Sequence, residues 1–326
     1  MSIPSATLHY ELVQEAADRI RGVVRPVTLA RADDKAFGAS QVWMAMEFMQ
    51  HTGSFKARGA LNFLGANAAV GFKPDAGVVI ASGGNAGLAC AWAANRYGMP
   101  ATAFVPTTAP VVKVRRLSSL GATVHQTGDT YEEALWASRQ WAVENKALES
   151  HAFDHPMIAA GAGTILAEII DAVPSGIDTV IVAVGGGGLF SGIASAAREY
   201  SSAERGAGLR VVAAEPENCR ALNAALEAGE LVDIEVDSVA ADSLGARRAS
   251  AMAFAAAKHP DVTSVLVPDT EIIRARQMLW DHRRLAVEHA AATALATLTS
   301  GAYAPENGEK VAVVLCGGNT DPTDLV

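Results

Sequence analysis

The sequence predicts an α/β protein of two blocks, each an open, mostly parallel β-sheet flanked by helices. Three observations carry this. Short apolar runs alternate with helix-like segments along most of the chain. The runs are apolar at every position rather than every second one, as expected for parallel strands covered on both faces. Glycine-rich turns stand where strands end and helices begin, at the edge where open parallel sheets bind ligands.

The regular pattern starts near residue 77. Residues 78–81 form a strand that ends in Ser82-Gly83-Gly84-Asn85. Residues 86–97 read as an alanine-rich helix closed by Gly98, and 101–105 as a second strand stopped by Pro106. A helix over 110–120 ends at Gly121, and 122–126 is a third strand. Thr130 opens another helix, with Glu132 and Glu133 suited to its positive end. The same grammar then returns. A strand over 179–184 leads through Gly185-Gly186-Gly187-Gly188 into a helix from Leu189, and a strand over 209–214 leads through Glu215-Pro216 into another. Helices over 269–282 and 288–299 precede a last strand over 310–315. The expected division is a small α/β domain over 60–155 and a large one formed by 1–59 together with 156–326.

The chain has 326 residues, half of them hydrophobic, so it can bury a sizeable core and is not expected to be disordered. Its 26 basic against 35 acidic side chains give a net charge of −9, which argues against a nucleic-acid partner. Cys90, Cys219 and Cys316 are far apart and form no C-x-x-C pair, so neither a zinc site nor a disulfide framework is expected. A reducing, cytoplasmic setting fits. Neither a secretory signal nor an apolar stretch long enough for a membrane helix is evident.

Lys56 is the most informative residue. It is one of seven lysines and sits in Thr52-Gly53-Ser54-Phe55-Lys56-Ala57-Arg58-Gly59-Ala60, between Phe55 and Ala57. An amine held in an apolar frame loses solvation of its charged form, so its pKa falls, and the neutral amine can attack an aldehyde. The motif alone also fits a surface lysine in a turn. Three glycine-rich loops add weight. Gly185, Gly186, Gly187 and Gly188 follow a strand and open a helix, so their N–H groups can converge on a phosphate; the alternative is a flexible turn. The spacing fails the dinucleotide fingerprint G-x-G-x-x-G, since Phe190 takes the last glycine position. Ser82, Gly83 and Asn85 can hold a carboxylate or serve only to cap a helix. Cys316, before Gly317-Gly318-Asn319, is a ligand neighbour or a small core residue.

Together these segments resemble the fold-type II pyridoxal-phosphate enzymes, the tryptophan synthase β-like fold, in their serine/threonine dehydratase (ammonia-lyase) branch. The likeness runs from Glu47 to Asn319 and includes Phe153-Asp154-His155-Pro156 and Gly161-Ala162-Gly163-Thr164. The resemblance implies that Lys56 binds pyridoxal 5'-phosphate as a Schiff base and removes the Cα proton. It implies that Phe55 lies against the ring, and that Asn85 donates to the ring 3'-oxygen. It further implies that Gly185–Gly188 with Leu189 hold the phosphate, that Cys316 sits beside the pyridine nitrogen, and that Ser82, Gly83 and Asn85 receive the substrate carboxylate. Glu215 resembles the family's ligand for a monovalent cation, K⁺ or Na⁺. The implied reaction is β-elimination of L-threonine or L-serine to a 2-oxo acid and ammonia, in a homodimer.

The departures shape these expectations. Related racemases carry a serine where this chain has Gly83, which has no side chain to move a proton, so little racemase activity is expected. Ala162 stands where many relatives have Gln, and His289 where many have Pro. His155 and His289 either line the substrate pocket, and so favour another β-hydroxy amino acid such as 3-hydroxyaspartate or phenylserine, or are packing residues. The chain ends soon after the Cys316 loop, which suggests no sensing domain and a catabolic role.

Overall fold

The structure is a computed structural model that describes residues 7–200 and 208–325; residues 1–6, 201–207 and 326, all assigned above to the large domain, lie outside the described residues. The chain runs α1 (Tyr10–Ile20), β1 (Leu29–Arg31), β2 (Gln41–Ala45), α2 (Lys56–Ala69), β3 (Val78–Ala81), α3 (Asn85–Arg96), β4 (Ala101–Val105), α4 (Val111–Ser119), β5 (Ala122–Gln126), α5 (Tyr131–Asn145), β6 (Leu148–Glu149) and α6 (Pro156–Ala172). It continues with β7 (Thr179–Ala183), α7 (Gly188–Tyr200), β8 (Arg210–Pro216), α8 (Ala221–Ala228), α9 (Ala241–Leu244), α10 (Ala251–Ala257), β9 (Val262–Val267), α11 (Asp269–Arg283), α12 (His289–Thr299) and β10 (Lys310–Val314).

The strands form two sheets. One has the order β1-β2-β10-β7-β8-β9, the other β5-β4-β3-β6. Every pairing is parallel except β1 with β2, an antiparallel edge. All residues of β3, β4 and β7 are buried, which is why their sequences are apolar without alternation. Each fully buried Val or Ile there contributes roughly 1.5–3 kcal/mol of transfer free energy. Two main cores result, one around β7, β8 and β10 with α6, α7 and α12, the other around β3 and β4 with α2 and α3.

Local signals explain the element ends. Thr130 and Glu133 form a reciprocal capping box at the start of α5. Pro156 opens α6, and His155 Nδ1 caps it by accepting from Met157 N at 3.1 Å. The expected boundary at residue 60 falls inside α2, so this helix links the two sheets. Its Ala60, Leu61, Phe63 and Leu64 enter the smaller core. Its Arg58 instead turns toward Glu47 and Glu168, with Arg58 and Glu47 almost completely buried. Close backbone approach seats α2 on α6: a Cβ on Gly59 would lie 2.6 Å from Ile158 O.

Candidate active site

A cavity of about 530 Å³ opens at the carboxyl ends of both sheets. Phe55, Lys56, the Ser82–Asn85 turn, the four glycines Gly185, Gly186, Gly187 and Gly188, Leu189 and Cys316 all line it. Segments more than 250 residues apart in the chain thus meet at one place.

Lys56 is placed by the loop after β10. Phe55 N donates to Cys316 O at 3.0 Å, Gly318 N donates to Gly53 O at 2.9 Å, and Ser54 bridges Gly317. Thr52 adopts a left-handed conformation (φ +63°), and Asn319 Nδ2 clamps its carbonyl at 2.7 Å. The chain then enters α2 at Lys56, whose Nζ donates to Ala152 O at 2.8 Å and lies 4.8 Å from the Phe55 ring centre. Removal from water pulls the amine down to about 8, against the opposing pull of Cys316 and Glu288. The carbonyl of Ala152 is presented by a turn in which His151 Nδ1 accepts from Phe153 N and Asp154 N. Two residues on, Arg58 donates to Glu47 at 2.8 and 2.9 Å and to Glu168 at 2.7 Å, fixing the first turn of α2.

None of the four glycines has room for a Cβ, because Leu244, Phe153 and Ala253 pack closely against them. One on Gly186 would lie 2.3 Å from the Phe153 ring, and one on Gly187, at φ +93°, 2.3 Å from Ala253 Cβ. Gly188 starts α7, a helix of 13 residues, so this bare backbone stands at a positive helix end. At the opposite wall, Gly84 precedes α3, and a Cβ on Gly83 would meet only side-chain carbon, Val105 Cγ1 at 3.2 Å and Lys113 Cδ at 3.9 Å.

Asn85 is not a free donor. Its Nδ2 donates to both oxygens of Glu288 at 2.9 Å, and its Oδ1 accepts from Asn319 Nδ2 at 2.6 Å. Glu288 is buried and also accepts from Ser243 Oγ at 2.7 Å and Asn319 N at 2.8 Å. Glu288, with Ser243, Asp242 and Lys113, lines the cavity and is missing from the sequence-based site. No motif marks these four. They arrive by tertiary folding, and the one sequence signal was the position of Glu288 before a helix.

Cys316 is buried, and that burial pushes its thiol up to about 12, so it remains protonated at neutral pH. Cys90, Cys219 and Cys316 are all free thiols. Glu215 lies away from the cavity lining, fully buried; its two oxygens accept from Leu222 N and Asn223 N, each at 2.8 Å, as the cap of α8. Burial raises its pKa to about 7, while those two N–H groups lower it. No group of three or more His, Cys, Asp or Glu suited to a metal occurs among the described residues. His155 and His289 do not line the cavity. His155 is a helix cap packed edge-on against Phe63, so the packing reading is the one its contacts support.

A glycine backbone with no room for side chains, at a helix N-terminus, lines the same cavity as a desolvated lysine. This donor set fits a phosphate-bearing aldehyde. No helix among the described residues is long and apolar enough to cross a membrane.

Comparison with known proteins agrees. The family described as pyridoxal-phosphate dependent enzyme matches residues 20–317. The chain is 35% identical over 316 residues to an L-threonine ammonia-lyase of Geobacter sulfurreducens, covering 96% of this chain and 76% of that one. It is 35% identical to a serine dehydratase-like protein of Rattus norvegicus, covering 85% of each. Among solved structures, maize serine racemase superposes with a TM-score of 0.89 at 28% identity, covering 98% of this chain and 96% of that one. Threonine deaminase isoform 2 of Solanum lycopersicum, in its processed form, gives 0.88 at 25% identity, with 97% and 86% covered. The chain belongs to the pyridoxal-phosphate dependent enzyme family.

Proposed function

We propose that this pyridoxal-phosphate dependent enzyme is an ammonia-lyase that eliminates the β-hydroxyl of L-threonine or L-serine and yields 2-oxobutyrate or pyruvate with ammonia. The observation that carries the reading is Lys56, a desolvated amine facing the glycine cradle across one cavity. Relatives named L-threonine ammonia-lyase and serine dehydratase-like, matched over most of the chain, support the reaction class.

Gly185, Gly186, Gly187, Gly188 and Leu189 would hold the cofactor phosphate, Phe55 would lie against its ring and Cys316 near its nitrogen, and Asn85 would reach a ring oxygen only by giving up one of its two bonds to Glu288. When bound, the cofactor supplies an electron sink for negative charge developing at the substrate Cα. Lys56 would be the residue that holds the cofactor, and its amine, with a pKa near 8, is suited to taking the substrate Cα proton. The Cys316 thiol stays neutral and would offer the cofactor nitrogen no charge, which suits elimination over transamination. Ser82, Gly83 and the start of α3 receive the substrate carboxylate at a helix N-terminus. Glu288 fixes Asn85 through both carboxylate oxygens.

Gly83 has no side chain to move a proton, and Lys113, whose stem passes 3.9 Å from its Cβ position, is held in an ion pair by Asp242, so racemisation is slow. A homodimer and a cytoplasmic location complete the proposal. A monovalent cation at Glu215 would have to share oxygens that already cap α8. The test is 2-oxo acid release from L-threonine and L-serine by the cofactor-saturated enzyme, with chiral analysis of residual serine. Release that is lost in Lys56→Ala supports the reading. D-serine formed as fast as pyruvate contradicts the Gly83 argument, and no release from either substrate contradicts the lyase assignment.

A further inference from the structure

Among the described residues lining the cavity, the cations are Lys56 and Lys113 and the carboxylates are Asp242 and Glu288. Lys56 serves the cofactor, and Glu288 is occupied by Asn85, Ser243 and Asn319. That leaves one pair. Lys113, on α4, reaches across the cleft and forms an ion pair with Asp242 on α9. Its carbon stem passes 3.9 Å from the Cβ position of Gly83, beside the turn assigned to the substrate carboxylate.

We propose that Asp242 and Lys113 form a charge filter at the mouth of the site, which a second substrate carboxylate meets on entering the cleft. Asp242 occupies the one cation of the cavity outside the Schiff-base position, so a monocarboxylic β-hydroxy amino acid enters, and one with a second carboxylate meets Asp242 instead of a free ammonium. The inference rests on the ammonia-lyase reading for its substrates. Its physical basis is that Lys113, once paired, offers a second carboxylate no free cation, and that the like charge of Asp242 beside it costs such a competitor affinity. The Asp242 side chain is 69% exposed and that of Lys113 33%, so the pair sits at the mouth of the site and replacing either leaves the core intact.

The experiment uses the cofactor-loaded enzyme in four forms: wild type, Asp242→Ala, Lys113→Ala and the double variant. Turnover of L-threonine and of 3-hydroxyaspartate is measured. Binding of L-aspartate, which has no β-leaving group, is followed by calorimetry. The expected result is a rise of roughly tenfold or more in kcat/KM for 3-hydroxyaspartate relative to L-threonine in Asp242→Ala, with tighter L-aspartate binding, both lost in the double variant. An unchanged ratio and unchanged L-aspartate binding in Asp242→Ala overturn the proposal while leaving the lyase reading in place. A gain that survives in the double variant overturns the role of Lys113. If wild type releases no 2-oxo acid from L-threonine or L-serine, the lyase reading fails, and L-aspartate binding across the four forms still decides the filter.

Discussion

The state of Lys56 can be tested by varying pH alone. An ordinary lysine amine at 10.5 is about 0.03% neutral at pH 7, whereas one at about 8 is about 9% neutral, a difference of roughly 300-fold in attacking species. The cause is structural. The amine points into a cavity walled by Phe55, Phe153 and Leu189, where its charged form is poorly solvated. Apoenzyme mixed with pyridoxal phosphate in a stopped-flow instrument reports attachment through the cofactor absorbance. The rate should rise about fivefold from pH 7 to 8 and less than about twofold from pH 8 to 10, since only the neutral amine attacks. A rate that climbs several hundredfold between pH 7 and pH 10 would mean an unperturbed lysine and would refute the reasoning.

Three further outcomes follow from the contacts. Gly187→Val places a branched side chain at φ +93° against Ala253, and equilibrium dialysis should show pyridoxal phosphate affinity lowered by at least about fivefold; unchanged affinity would count against the cradle. Arg58→Met strands the buried Glu47 carboxylate and should cost about 3–5 kcal/mol in denaturant titration. Burial already raises the Glu47 pKa and Arg58 opposes that shift, so the variant raises it further. A carboxyl whose folded value lies above its unfolded one loses stability as pH rises, so the deficit should be larger at pH 8 than at pH 5, and a pH-independent deficit would exclude this cause. Glu288→Ala releases Asn85, Ser243 Oγ and Asn319 N and should lower kcat by about tenfold to a hundredfold with the cofactor still bound, with Glu288→Gln recovering part of it; equal loss in both variants would show that the acceptor geometry is not what matters.

Much of this site was legible because its parts are backbone devices. Glycine runs at strand ends, a lysine between apolar neighbours and a strand-helix rhythm are local signals, and the structure brings Lys56, the Ser82–Asn85 turn, Gly185–Gly188 and Cys316 to one cavity. What stayed hidden depends on distant packing. Helix α2 is buried from Ala57 through Gly65, so its sequence shows no 3.6-residue stripe, and α6 is similarly buried over Ile158–Leu166. Glu288 looks like any acidic residue before a helix until Asn85, 203 positions away, is seen to bond it. Lys113 and Asp242 are ordinary surface residue types whose meeting depends on how the two sheets are set against each other. His155 could be read from the sequence as a pocket or a packing residue, and only the fold shows its Nδ1 spent on a helix cap.

The most direct measurement is borohydride reduction of the cofactor-loaded enzyme followed by peptide mass mapping. The chain has seven lysines, so the position of the reduced cofactor adduct is a sharp result. The account predicts the added mass on the peptide containing Lys56, and its loss when L-threonine is present at saturation before reduction. An adduct on Lys113 or any other lysine, with Lys56 unmodified, would contradict it.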